Sequence, residues 1–333
     1  MKHLFKVLFI SLLFQSCAGQ SHKINAVSFV SSRKPASQEN VSEIQKINVN
    51  YAAVMPFGFI RNLDTPIIMH NTERQWFGET KAGAKQYATL LQENNIAVMI
   101  KPQIWIWRGE FTGYLKMKNE EDWKTLEDSY RDFIMTYAEL AEEVGAEIFC
   151  IGTELEQFKV NRPEYWKRLI LDIKNVYKGK LTYAANWDEY KRVPFWKSLD
   201  FIGVDGYFPV SESKTPTIAE ARMGWQPWKI ELQGVSEANQ KPILFTEYGY
   251  RSVDFAGKEP WKSDRSMSGV NLEAQQNLMQ ALFEELYPES WFSGGFIWKW
   301  FIDDASSGGH DNHMFTPQNK PVETLLKQQF SED

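Results

Sequence analysis

The chain reads as an α/β protein, a single-domain (β/α)8 barrel, and three observations predict this. Eight strand-like runs lie between residues 24 and 300 of a 333-residue chain. Amphipathic helical patterns separate them, which is the alternation of a parallel barrel. The fourth and seventh runs each close on a glutamate, and the C-terminal tips of barrel strands are where such folds keep their chemistry. No Gly/Ser- or Pro-rich linker, repeat or low-complexity stretch divides the chain. A doubly wound open sheet would carry a Gly-rich loop after its first strand, and Ser31-Ser32-Arg33-Lys34-Pro35 is not one.

In chain order, the first element is a targeting segment. Lys2, His3 and Lys6 precede or interrupt the apolar stretch Leu4 to Phe14, which is too short for a stable transmembrane helix. Gln15-Ser16-Cys17-Ala18-Gly19 follows, and a small residue then Cys resembles a bacterial lipoprotein signal with Cys17 as the lipidated residue. Residues 1–17 are therefore expected as the signal, 18–23 as a tether and 24–333 as the barrel. The expected location is the periplasm or cell envelope on a lipid anchor, or the exterior if Cys17 is unmodified. The other cysteine, Cys150, is expected as a small buried hydrophobe, and no internal disulfide can form in the mature chain.

The eight predicted strands are Ile24–Val30, Val49–Met55, Ile96–Ile104, Glu147–Glu154, Leu181–Asn186, Phe201–Tyr207, Pro242–Glu247 and Gly295–Trp300. Between them, Asp122–Val144 places Trp123, Leu126, Tyr130, Phe133, Ile134, Tyr137, Leu140 and Ala141 at three- and four-residue spacing. Pro163–Tyr177, Thr217–Ser236 and Leu272–Leu286 are further helices, with Gly145 and Gly179 expected as C-terminal caps. Long loops after strands two, three, six, seven and eight would share one rim and build a cleft.

Composition narrows the chemistry. A net charge of −6 without a basic run excludes nucleic acid as an expected partner. Aromatics make up 14% of the chain, with 13 Trp, which suits both a core and a sugar-binding cleft where pyranose faces stack on indoles. His310, Asp311 and His313 lie in a Gly- and Ser-containing loop and read as a solvated loop or cleft wall, not a metal site, and no Gly-x-Ser-x-Gly elbow is present.

Two carboxylates facing one pocket suggest glycoside hydrolysis. Glu147-Ile148-Phe149-Cys150-Ile151-Gly152-Thr153-Glu154 and Pro242-Ile243-Leu244-Phe245-Thr246-Glu247 each end an apolar run in a group that is costly to bury. Strands four and seven would bring them to bracket a sugar. Glu156 competes with Glu154 by alternation but lies past the strand, as a cleft-lining or solvated group. Alternation also puts Trp298 and Trp300 on one face of the eighth strand, where one of them could underlie the reacting sugar.

The blocks Phe149–Leu155, Leu181–Trp187, Phe195-Trp196 with Leu199–Pro209, and Phe245–Ser252 together resemble glycoside hydrolase family 113, a β-mannanase family. Lys101–Trp105, Gly295–Trp300 and Phe315–Pro321 fit as well, so the resemblance runs from Ile24 to the C-terminus. It implies Glu154 as acid/base, Glu247 as nucleophile and Tyr207 as the tyrosine hydrogen-bonded to that nucleophile. Trp105 and Trp107 after the third strand, and Lys101, Asn186, Trp187 and Asp205 at strand ends, are candidate sugar-binding groups. The wider clan often has Asn directly before its acid/base, where this chain has Thr153. The expectation is a retaining, endo-acting hydrolase of β-1,4-mannan or a related β-linked glycan. It needs no cofactor, acts as a monomer on an oligo- or polysaccharide, and touches the membrane only through its lipid. The alternatives are a non-catalytic glycan-binding lipoprotein on the same barrel, and a β-galactanase or β-glucanase specificity.

Overall fold

The computed structural model describes residues 22–263 and 269–331. Eight parallel strands close into a barrel: β1 (Ile24–Phe29), β2 (Tyr51–Val54), β3 (Ala97–Ile100), β4 (Ile148–Thr153), β5 (Lys180–Asn186), β6 (Ile202–Asp205), β7 (Ile243–Tyr248) and β8 (Phe292–Trp300). Each strand pairs with its neighbours in sequence, and β8 closes on β1. All eight predicted runs are barrel strands. Their burial is nearly continuous, as expected for strands covered on both faces.

Alternation sorts the side chains into two cores. Ala26, Ala53, Met99, Ile148, Cys150, Ala184, Leu244 and Phe296 pack inside the barrel, mixing small and large residues to fill it. Cys150 is buried there with a free thiol. Val27, Phe29, Val54, Ile100, Phe149, Val204 and Phe245 point outward into the larger core beneath the helices.

The helices are α1 (Gln38–Gln45), α2 (Lys81–Glu93), α3 (Glu120–Glu143), α4 (Glu156–Asn161), α5 (Pro163–Val176), α6 (Ile218–Asn239), α7 (Leu272–Leu286) and α8 (Pro321–Gln329). Asn119 caps α3 by accepting from the Asp122 amide, and three acidic residues complement the helix dipole in its first turn. Gly145 takes the left-handed conformation (φ 64°) just past its end, as the pattern predicted. Gly179 does not act as a cap. It is needed for close approach instead, because a Cβ there would lie 2.2 Å from the Tyr177 hydroxyl, which donates to Ala146 O. Two short 3-10 turns, Tyr190–Arg192 and Trp196–Ser198, follow β5 where a helix would usually stand.

One predicted strand divides. Ile96–Ile104 breaks at Lys101-Pro102, since proline has no amide to donate to a ladder. Gln103–Ile106 leaves the barrel and joins a three-stranded sheet on the C-terminal rim with Phe57–Asn62 (parallel) and Thr65–Met69 at its other edge. This outgrowth was not anticipated. Its inner face packs on α3: a Cβ on Gly58 would meet Phe133, and the Ile68 amide donates to the Ser129 hydroxyl.

Candidate active site

A cleft of about 540 Å³ opens at the C-terminal ends of the strands, and Glu154, Glu247 and Tyr207 all line it. Glu247, on β7, is 7% exposed. Its Oε1 accepts from Lys101 Nζ at 2.5 Å and from Gln103 Nε2 at 3.0 Å, and its Oε2 accepts from the Tyr207 hydroxyl at 2.9 Å. Three donors on two oxygens fix the carboxylate's orientation.

Those donors are themselves held. Lys101 is fully buried, with Asp205 Oδ1 and Thr246 O each 3.4 Å from its ammonium. Burial disfavours its charge, but the Asp205 and Glu247 carboxylates outweigh that and hold it above the ordinary lysine value. Asp205 accepts from the Thr246 hydroxyl at 2.7 Å. Burial and the nearby Glu247 charge push it up to about 7, against the pull of Lys101. Lys101 and Asp205, expected as hydroxyl-binding groups, therefore sit beneath the cleft floor and support Glu247.

Glu154 occupies a different setting. It follows the last residue of β4 in the left-handed region (φ 50°), a strained conformation for a residue with a Cβ, while its amide still donates to Ala184 O on the neighbouring strand β5. The next amide, Leu155 N, donates to the Tyr183 hydroxyl at 2.7 Å. That hydroxyl donates to Glu189 at 3.1 Å, and Glu189 pairs with Lys159 at 2.8 Å with both side chains buried. Burial, then the charges of Asp205 and Glu247, push the Glu154 carboxyl well above the usual carboxylate range; Lys101 opposes and Glu189 adds to the rise. Two glutamates on one cleft thus have contrasting surroundings, the arrangement that separates an acid from a nucleophile.

The remaining predicted residues divide. Glu156 lines the cleft and accepts from Arg192 at 2.7 Å. Asn186 and Trp187 line it as well, and Trp187 stacks on Trp261 at 4.9 Å between ring centroids. Trp298 lines the cleft, whereas Trp300 is 1% exposed in the outer core. The simple alternation expected for them fails because β8 carries an extra residue opposite Val27–Phe29, a bulge that shifts its register on β1. Trp105 and Trp107, 50% and 63% exposed, do not line this cleft; Trp105 belongs to a neighbouring hollow.

Several site residues were not foreseen. Gln103 lay hidden in what read as a continuous strand. Trp261, Phe111, Tyr114 and Phe315 line the cleft from loops whose path no local pattern reveals. Phe315 packs edge-on against Tyr207 at 5.8 Å. Its loop is tied down by Lys320, which donates to Met314 O and Ser252, and by Gln275, which donates to Phe315 O. Burial and the neighbouring Arg251 bring the Lys320 ammonium down to about 7.

Comparison with known proteins agrees with this geometry. No match was found among curated proteins. A solved GH113 β-mannanase from Alicyclobacillus acidocaldarius superposes with a TM-score of 0.80 at 23% identity, covering 93% of this chain and 98% of its own. A second GH113 β-1,4-mannanase structure gives 0.82 at 20% identity, covering 94% and 100%. A Faecalibacterium prausnitzii β-glucuronidase gives 0.61 at 16% identity over 93% of this chain and 49% of its own. At these identities the likeness establishes the barrel. The sequence profile of Glycoside Hydrolase Family 113 matches residues 29–320, and the chain, a glycoside hydrolase, belongs to that family.

Proposed function

We propose that this glycoside hydrolase is a retaining, endo-acting enzyme that cleaves β-1,4-mannan or a closely related β-linked glycan by double displacement. The observation that carries the reading is the contrast between Glu154 and Glu247 on one cleft. In the first step the protonated Glu154 donates to the glycosidic oxygen while Glu247 attacks the anomeric carbon, forming a glycosyl-enzyme ester and releasing the leaving sugar. In the second, Glu154 takes a proton from water as the water displaces Glu247. Tyr207, Lys101 and Gln103 hold the attacking oxygens in line. Trp298 offers a stacking face for the reacting sugar, and Asn186, Trp187 and Glu156 border it. Family membership and the mannanases among the solved relatives support mannan as substrate.

The test is hydrolysis of a panel of β-mannan, β-galactan and β-glucan, with the anomer of the first product read by proton NMR. Mannan should be cut fastest, at internal bonds, with the β-anomer appearing before mutarotation. A first product in the α configuration would sink the retaining mechanism, and preference for galactan or glucan would reassign the substrate. Binding of mannan without cleavage would return the chain to the glycan-binding alternative. Cys17 and the preceding segment lie outside the described residues. We further propose that Cys17 carries the lipid anchor, so Cys17→Ala should release the protein from the membrane fraction.

A further inference from the structure

The C-terminal rim holds a second hollow, about 840 Å³, that the catalytic reading does not use. Its floor is the outer face of the three-stranded sheet. Strand alternation puts Phe57, Phe59 and Arg61 on that face, and the parallel register brings Gln103 beside Phe57 and Trp105 beside Phe59. Phe59 stands 6.1 Å from the Trp105 ring, edge to face, and 6.2 Å from Phe57. Trp76, 43% exposed, forms a further wall, and Arg74 joins Arg61 at the edge. The opposite face of the same sheet is packed on α3, so the aromatic face is the one left to solvent.

Two observations connect this face to the reaction site. Gln103, on the same face and strand as Trp105, donates to Glu247 Oε1. Two residues along an extended strand is about 7 Å, so an aromatic platform begins one short step from the nucleophile. On the other side, Trp76 also walls a third hollow that includes Phe301. The Lys299 ammonium lies 5.1 Å from the ring centroids of both Phe301 and Trp298, and Trp298 lines the catalytic cleft. Exposed indoles flanked by guanidinium groups suit pyranose faces and their hydroxyls.

We infer that the outer face of this sheet is an outlying glycan-binding site, which holds a remote stretch of the same β-linked polysaccharide whose scissile bond lies at Glu154 and Glu247. This rests on the hydrolase reading above and adds where a long chain is gripped. Trp76 and Trp105 are its main contacts, and the site selects for chain length without touching the reacting sugar.

The test uses the full-length protein and the double substitution Trp76→Ala with Trp105→Ala. The ratio of kcat/KM for β-1,4-mannohexaose to that for 4-nitrophenyl β-mannobioside should fall about tenfold, the usual scale for truncating an aromatic contact. Phenylalanine at both positions should restore most of it, because a ring remains to stack on. An unchanged ratio, or equal loss on both substrates, would overturn the inference. A second measurement needs no turnover. Glu247→Gln should be retarded in native gels containing soluble β-1,4-glucomannan, and adding the two Trp→Ala changes should abolish most of the retardation. Retardation that survives them overturns the site. If the wild type hydrolyses no β-linked polysaccharide, the hydrolase reading falls, and the gel experiment still decides the outlying site by itself.

Discussion

The ends of β4 and β7 present the same side chain to the same cleft and treat it in opposite ways. At β7, Glu247 is still within the strand, and three donors converge on its two oxygens. At β4, Glu154 lies just past the strand in a left-handed turn, and the groups that act on it are burial and neighbouring carboxylates. One site is built from hydrogen-bond donors, a lysine ammonium among them. The other is built from desolvation and like charge, which raise its proton affinity. The comparison teaches that a glutamate's role is decided by what surrounds it more than by where it stands along its strand.

The comparison can be broken most severely at β7. Glu247→Gln should lower kcat by roughly 10⁴-fold or more with the fold intact by circular dichroism, a loss typical of removing a nucleophile. Near wild-type turnover of an aryl β-mannoside would refute the assignment. At β4 the effect should depend on the substrate. Glu154→Ala should slow hydrolysis of poor leaving groups by about 10²–10⁴-fold, the range for general acid catalysis, and spare the first step for dinitrophenyl glycosides. Azide should then restore turnover and yield a β-glycosyl azide; uniform loss across leaving groups would count against an acid at this position.

Smaller changes sharpen the contrast. Tyr207→Phe removes one of the donors to Glu247 and should reduce kcat by about 10–100-fold, as a hydrogen bond to a charged group is worth about 1.5–3 kcal/mol. The mildest test concerns protonation. In the proposed mechanism Glu154 acts as an acid only while protonated, so its ionisation should set the alkaline limb of kcat/KM. Burial, then the Asp205 and Glu247 charges, shift that ionisation to higher pH; Lys101 pulls it lower and Glu189 adds to the rise. Glu189→Gln deletes one negative charge, stabilises the Glu154 carboxylate, and should move the alkaline limb to lower pH. Tyr183→Phe leaves the Glu189 charge in place and should instead lower kcat by loosening the turn at Leu155. The same raised value has a stability consequence. Burial penalises ionised Glu154, so stability is complete below the ordinary carboxyl value of 4.5 and declines as pH rises through the raised one. Glu154→Gln should thus melt above the wild type at pH 8 and match it at pH 4.

Much of the architecture was legible locally. Buried parallel strands need continuous apolar runs, so all eight announce themselves, and the periodicity of α3 gave its buried face residue by residue. Glu154 and Glu247 were readable because a polar group at the end of such a run conflicts with burial and needs a reason; Tyr207 was singled out only by the family resemblance. Trp300 and Lys101 were harder. Both sit at strand ends in sequence, but a register shift on β8 sends Trp300 into the outer core, and the strand break at Pro102 leaves Lys101 buried under Glu247. The outlying sheet escaped notice because its strands are four to six residues long and one of them continued a barrel strand in sequence.

By itself the amino-acid order determined the barrel, its strand count and the two acidic groups at its rim. Each follows from short-range rules: hydrophobic period, caps, and the cost of burying charge. Only the folded chain decided which glutamate has its proton affinity raised by burial and like charge, that Lys101, Gln103 and Tyr207 converge on the other, and that aromatic residues distant in sequence line one rim. Electrostatics and stacking act over a few ångströms in space, and separations of forty to a hundred and fifty residues along the chain carry no local mark of that closeness.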